Sequence, residues 1–210
     1  MNEFVKALSM IFGPEDLAKI QRVRVGIAGA GGLGSNCAQF LARSGFQNFK
    51  IVDFDRVEYS NLNRQFFFYH QVGEAKVEAL KRNLLQINPD IKLDVLQVQI
   101  HPDNIGSLFE DCHAVVEALD RPEYKKLVVE SYLPSGKLLV AASGLAGWGN
   151  TDQIKVHRVK EHFFLVGDLV SEVQPHCPPV APGVVITAAK QADVVLRYFL
   201  GKCGVKNIDS

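Results

Sequence analysis

The sequence predicts an α/β fold: a mostly parallel sheet with helices on both faces, then a C-terminal antiparallel strand pair and a crossover loop. Three observations carry this reading. Short apolar runs, "VRVGIA" (23–28), "FKIVDFD" (49–55), "HAVVEAL" (113–119) and "KLLVAAS" (137–143), are separated by segments with helix-like patterns. Such alternation gives parallel strands joined by right-handed crossovers. A glycine cluster, "GAGGLG", directly follows the first run. Finally, 210 residues with 47% hydrophobic and 22% charged content are enough for one well-buried core, so residues 1–210 read as one domain.

Each element has its own local reason. Residues 1–21 read as a helical extension, with "PEDLAKI" (14–20) helical because Pro14 sits near its start and acids fill its first turn. Ser35 to Ser44 reads as a helix with Cys37, Ala38, Phe40 and Leu41 on its apolar face, and Gly45 ends it. Residues 56–72 show no period and many polar and aromatic side chains, the mark of a long functional loop. From Glu74 to Ile87, Val77, Leu80, Leu84 and Ile87 recur at helical spacing, with Pro89 just beyond. "IKLDVLQVQI" (91–100) alternates as a strand, and Pro122 to Leu133 fits a helix. Residues 153–166 suggest a hairpin-like strand pair. The crossover loop, 167–183, contains the proline-rich "SEVQPHCPPVAPG" (171–183), and residues 184–201 read as a buried closing helix.

Composition narrows the function. Lys plus Arg equals Asp plus Glu, 23 each, so no basic surface for nucleic acid and no membrane-binding charge is expected. Cys37, Cys112, Cys177 and Cys203 are scattered without a CxxC pair, so neither zinc nor disulfides are expected. The opening "MNEFVKALSMIFGPED" is too short in apolar residues and too acidic downstream for a signal peptide or anchor. A cytoplasmic location is the expectation.

Gly29, Gly31 and Gly34 satisfy G-x-G-x-x-G between a strand and a helix, the arrangement of a Rossmann-type nucleotide loop. Glycine allows the tight turn and lets backbone N–H groups approach phosphate oxygens. Asp53 ends the next strand, where a carboxylate accepts ribose hydroxyls. The plainer reading is a tight turn without a ligand. A dinucleotide is the default ligand, but hydride transfer needs a neutral nicotinamide pocket. The segment "DFDRVEYSNLNRQF" (53–66) offers cationic and amide groups instead. Arg64 suits bidentate phosphate binding, Lys76 supplies a point charge, and Asn61 and Gln65 either fix the loop or touch phosphate. Taken singly, Arg64 and Lys76 are ordinary surface cations. Asp120 ends the strand "VVEALD", where it suits Mg²⁺ held between phosphates or an N-cap for the helix near Pro122. Glu117 ranks lower, because strand alternation puts it out of step with Asp120.

"GAGGLGS", "DFD…SNLNRQ", "GEAK" and "EALDRPEYK" together resemble the ThiF/MoeB/HesA adenylyltransferases, relatives of ubiquitin-activating enzymes. The resemblance runs from about Val23 to Gly201. "AASGLAGWG" (141–149) and "APGVVITAAKQADVVL" (181–196) are similar to segments of the compact ThiF-like proteins of thiamine biosynthesis. The resemblance implies that ATP reacts with the C-terminal glycine carboxylate of a ubiquitin-like, ThiS-like sulfur carrier ending in Gly-Gly, releasing pyrophosphate. It implies that Gly29, Gly31, Gly32 and Gly34 contact phosphate, that Asp53 binds ribose, and that Asp55, Asn61 and Gln65 belong to the ATP site. Arg64 and Lys76 would steady the phosphates, Asp120 would hold Mg²⁺, and the protein would be a homodimer. The chemistry suits the inventory: an ionised carboxylate needs no general base, so catalysis reduces to alignment and charge neutralisation.

Three features depart from larger members. Their zinc-binding CxxC pairs are missing. No arginine precedes Arg22 to reach a partner subunit's site, leaving Lys6 or Lys19 as substitutes. Cys177 lies where some members carry a crossover-loop nucleophile, but its neighbours differ and an inert residue is the alternative. The competing functions are an NAD-dependent oxidoreductase, a ligase or dehydratase acting on a tRNA base, and a non-catalytic carrier-binding partner of a related enzyme.

Overall fold

The computed structural model describes residues 2–201. Its strands are β1 (Arg24–Ala28), β2 (Asn48–Val52), β3 (Lys92–Leu96), β4 (Ala114–Glu117), β5 (Leu138–Ala142), β6 (Lys155–Lys160) and β7 (Phe163–Gly167). They form one sheet in the order β3-β2-β1-β4-β5-β7-β6. Every neighbouring pair is parallel except β6 with β7, which is antiparallel, as the sequence predicts. The helices are α1 (Glu3–Phe12), α2 (Pro14–Arg22), α3 (Gly32–Arg43), α4 (Lys76–Ile87), α5 (Pro102–Leu108), α6 (Pro122–Tyr132) and α7 (Ala181–Leu200).

The strand order reverses between β1 and β4, which lie side by side with Ala28 opposite Glu117. The carboxyl ends of strands at such a reversal leave a crevice where ligands bind in open α/β sheets. The central strands are buried along their length, β5 at all five positions, because helices cover both faces. One apolar cluster joins α3, α4 and α7 to the sheet, and a second lies under α5 and α6.

Local chemistry explains the boundaries. The Asn2 side chain accepts the Val5 N–H at 2.9 Å, capping α1, and its amide reaches Asn88 Oδ1 at 2.7 Å. Pro14 occupies the first turn of α2. Gly45, at φ +102°, ends α3 in a backbone region that other residues avoid. Helix α3 begins at Gly32, earlier than the predicted Ser35, and α4 begins at Lys76. Two segments depart from expectation. Strand β3 stops at Leu96 instead of Ile100, and residues 97–100 run along the crevice. Helix α5 was not predicted; Pro102 at its start and Asn104, whose side chain accepts the His101 N–H at 2.9 Å, hold it despite Gly106. Among the described residues, no helix is long and apolar enough to cross a membrane.

Candidate functional site

A cavity of about 400 Å³ opens at the carboxyl ends of β1, β2, β4 and β5. The glycine turn forms its floor. Gly29 takes φ +98°, and a Cβ there would lie 2.8 Å from the Ala118 carbonyl oxygen. A Cβ on Gly34 would lie 1.8 Å from the Gly29 oxygen, so this glycine serves packing of α3 on the turn and does not line the cavity. Gly32 abuts Val184 of α7, at 2.8 Å from a hypothetical Cβ to Cγ1. Gly31 is different. It has φ −77°, and a Cβ there would meet only Gln65 Nε2, at 3.8 Å. The protein itself leaves room for a side chain that the sequence omits, the pattern expected where a ligand approaches the backbone. No side chain caps α3, so its first N–H groups face the crevice without intrahelical acceptors.

Asp53 braces this turn. Its Oδ2 accepts the Ala30 N–H at 2.6 Å, and its Oδ1 accepts the Asp55 N–H at 2.7 Å. Burial pushes its pKa above the ordinary aspartate value, against the opposing pull of Lys76 and those two N–H groups. Lys76 is buried at the first position of α4, and its ammonium lies 2.8 Å from Asp55 Oδ2. A cation at a helix N-terminus opposes the helix dipole, so a nearby anion must hold it there.

Helix α3 also positions the 63–66 loop. Asn36 Nδ2 donates to the Gly32 and Arg64 carbonyls at 2.6 and 2.8 Å, and the Phe66 N–H donates to Ser35 Oγ at 3.0 Å. Arg64 thereby lines the cavity, with Nη1 donating to Asn63 Oδ1 and the Ser60 carbonyl. Gln65 is buried on the same wall, and its Oε1 has no hydrogen-bond partner among the described residues. Asn61 lies outside the cavity. Its Oδ1 accepts the Glu58 N–H at 3.0 Å, so it shapes the loop. Asp120 lines the cavity, is exposed and makes no hydrogen bond to the described residues; the N-cap of α6 is Arg121, so the capping alternative does not hold.

Cys177 is elsewhere. It lines a neighbouring cavity of about 180 Å³ with Trp148, Thr151 and Asp168, and its Sγ packs against Gly147. The two cavities share Leu145 and Ser171. Of the other cysteines, burial raises the thiol pKa of Cys37, and that of Cys112 to about 11, so both are protonated at neutral pH. Cys203 lies outside the described residues. Lys6 and Lys19 pair with Glu3 and Asp16 on exposed helix surfaces, and neither lines the cavity.

The lining residues that sequence reasoning missed include Gln99, Tyr124, Lys125, Arg121 and Phe54. Gln99 Nε2 donates to the Tyr124 hydroxyl at 2.6 Å across the rim. Lys125 lies near the start of α6, another cation set against a helix dipole, which was the available signal. Its partner is the fully buried Glu117.

The ThiF family model matches residues 5–209. The chain belongs to the ThiF family. Among similar proteins, this ThiF-family chain is 33% identical over 135 residues to the adenylyltransferase and sulfurtransferase uba4 of Ogataea parapolymorpha, covering 64% of this chain and 35% of that protein. It is 42% identical over 94 residues to the ubiquitin-like modifier-activating enzyme 5 of Xenopus laevis, covering 45% and 22%. It thus spans about a third or less of these relatives' length. Among solved structures, the E. coli tRNA N6-threonylcarbamoyladenosine dehydratase in complex with ATP aligns with TM-score 0.80 at 22% identity, covering 94% of this chain and 92% of that one. E. coli MccB with ATP aligns with TM-score 0.68 at 23% identity, covering 88% and 58%. These likenesses establish the fold.

Proposed function

We propose that this protein adenylates a carboxylate with ATP, and that the carboxylate is the C-terminal glycine of a ubiquitin-like sulfur carrier. The carrying observation is one cavity that joins a helix N-terminus at Gly31 without a side-chain cap, the cations Arg64 and Lys76 among its four, and the Asp120 carboxylate, which has no partner among the described residues. In this reading the triphosphate lies along the glycine turn, where the N–H groups of α3 and the Arg64 guanidinium take its charge. Asp53 and Asp55 flank the ribose side. Gln65 supplies its free amide to the same wall, and Gly34, Gly32 and Asn61 act through packing and loop shape. The carrier carboxylate attacks the α-phosphorus, an acyl–phosphate bond forms, and the bond to the bridging oxygen breaks. The electron pair leaves with pyrophosphate. No proton needs to be moved, which suits a cavity whose lining has no histidine.

Mg²⁺ fits Asp120 because magnesium takes one or two carboxylates with phosphate oxygens. Among the described residues, no three His, Cys, Asp or Glu side chains gather into a self-sufficient metal site, so such an ion would depend on the nucleotide. When bound, it would neutralise charge that builds on the departing pyrophosphate.

The relatives named for sulfur transfer and ubiquitin-like modifier activation support a protein carrier over a free acid. A ThiS-like carrier in thiamine thiazole synthesis is our finer reading, resting on the compact-ThiF resemblance. We further read the protein as a cytoplasmic homodimer. The unpaired Cys37, Cys112 and Cys177 suit a reducing compartment, and exposed Met10, Ile11, Tyr59 and Tyr69 offer apolar surface to a second copy. Sedimentation as a monomer at micromolar concentration would remove the dimer.

The test is ATP–pyrophosphate exchange with carriers ending in Gly-Gly. The wild-type protein supports exchange, and Asp120→Ala loses about 100-fold or more while keeping its fold. Tight binding of nicotinamide coenzymes with indifference to ATP would overturn the reading in favour of hydride transfer. Full exchange in Asp120→Ala would remove the metal role.

A further inference from the structure

Glu117 and Lys125 have no part in the reading above, although Lys125 lines the same cavity. Glu117 ends β4 and is wholly buried. An isolated buried carboxylate is strongly disfavoured, so its partners define its purpose. Lys125 Nζ lies 3.0 Å from Glu117 Oε1 and 2.9 Å from Oε2, and donates to the Leu119 carbonyl at 2.9 Å. Glu117 Oε1 also accepts the Leu119 N–H at 2.7 Å. The ion pair therefore grips both backbone groups of Leu119, the residue before Asp120. Behind it, the Glu117 carbonyl accepts Gln191 Nε2 of α7 at 3.1 Å, and the Ala118 N–H donates to the Ala28 carbonyl at 2.9 Å. The chain from 117 to 119 is held by these contacts, whereas the Asp120 side chain is exposed and makes no hydrogen bond to the described residues. Lys125 already faces three protein oxygens, so its charge is committed to the turn.

We propose that Lys125, through Glu117, is a positioning residue that sets the Asp120 carboxylate for the metal–nucleotide complex and does not itself bind phosphate. This rests on the proposed ATP site. A direct phosphate contact predicts a different pattern, and nucleotide binding separates the two. ATP binding is measured by calorimetry in EDTA and again with Mg²⁺, for wild type, Lys125→Met and Lys125→Arg. In EDTA, Lys125→Met binds ATP like wild type. With Mg²⁺, it loses about tenfold or more of the metal-dependent gain, in line with the effect of groups that orient a metal ligand. Lys125→Arg, which can still bridge Glu117 and Leu119, recovers most of that gain. Glu117→Gln keeps the side-chain shape, must show the same pattern as Lys125→Met, and replaces it if that variant does not fold. Weaker ATP binding in EDTA for Lys125→Met, or an undiminished Mg²⁺ gain in either neutral variant, overturns the inference. No ATP binding by wild type would instead sink the functional reading beneath it.

Discussion

The second and third glycines of the motif, Gly31 and Gly34, make opposite predictions when each gains a methyl group. At Gly34, the new Cβ would sit 1.8 Å from the Gly29 oxygen, 2.9 Å from its carbon and 3.1 Å from Ile27 Cγ2. Two of these atoms are backbone of the glycine turn, so the helix or the turn must move by more than an ångström. Alanine within a helix gains about 1 kcal/mol over glycine. Overpacking typically costs about 1–3 kcal/mol, and a backbone clash this close belongs at or beyond the upper end. The net loss for Gly34→Ala is about 2 kcal/mol or more. For a chain of this length, about 2–4 °C of melting temperature accompanies each kcal/mol, so a fall of about 4–8 °C or more follows. At Gly31, the methyl meets nothing closer than 3.8 Å and the backbone has negative φ, so stability stays within about 1 kcal/mol of wild type. The methyl instead stands where phosphate must approach, and ATP affinity falls by at least about tenfold, or about 1.4 kcal/mol. Thermal unfolding read by circular dichroism and ATP titration by calorimetry measure both quantities on both variants. Wild-type ATP affinity in Gly31→Ala, or an unchanged melting temperature in Gly34→Ala, would refute the assignment of these two glycines to ligand and packing.

Two further outcomes are expected. Because burial raises the Asp53 pKa, acidification protonates this carboxyl at a higher pH than an ordinary aspartate, and ATP affinity falls as pH drops through that raised value. The same shift makes the folded state bind the extra proton, so the Asp53 contribution to stability declines as pH rises from the ordinary aspartate value to the raised one. Titration of Asp53→Asn should lack both inflections; their persistence would assign them to another group. Cys177→Ser should keep full ATP–pyrophosphate exchange, since Cys177 lines the second cavity and not the first. Loss of exchange in that variant would show that the thiol serves adenylation itself.

The fold was legible where local pattern and tertiary role coincide. Strand β1, the glycine turn, α3 and Asp53 follow one another in sequence and in space, so order along the chain revealed the crevice. Helix α4 was equally plain, because Val77, Leu80 and Leu84 all face the core. Helix α5 was hidden: it is seven residues long, contains Gly106, and buries only Ile105 and Leu108. The end of β3 was misplaced because "LQVQI" keeps alternating after its pairing partner β2 has ended at Val52. Arg64, Gln65, Lys76 and Asp120, singled out by the residue chemistry of contiguous motifs, all line the one cavity. Of the two roles open to Asn61, fixing the loop or touching phosphate, its side chain takes the first by closing its own turn. Glu117 was ranked below Asp120 and Lys125 was overlooked, because their meaning depends on a strand end meeting a helix start eight positions later. Periodicity does not report that distance.

One contact reaches across nearly the whole chain. Val184 presses on Gly32, and α7 lies along α3, so a glycine turn synthesised early is completed by the last described helix. A nascent chain emerging from the ribosome can pair β1, β2 and β4 early, but it cannot finish the wall beneath the glycines until residue 184 has emerged. Nucleotide therefore cannot template the early stages of assembly. Truncation before α7 would silence the protein even though the glycine motif, Asp53, Arg64, Lys76 and Asp120 remained in the polypeptide.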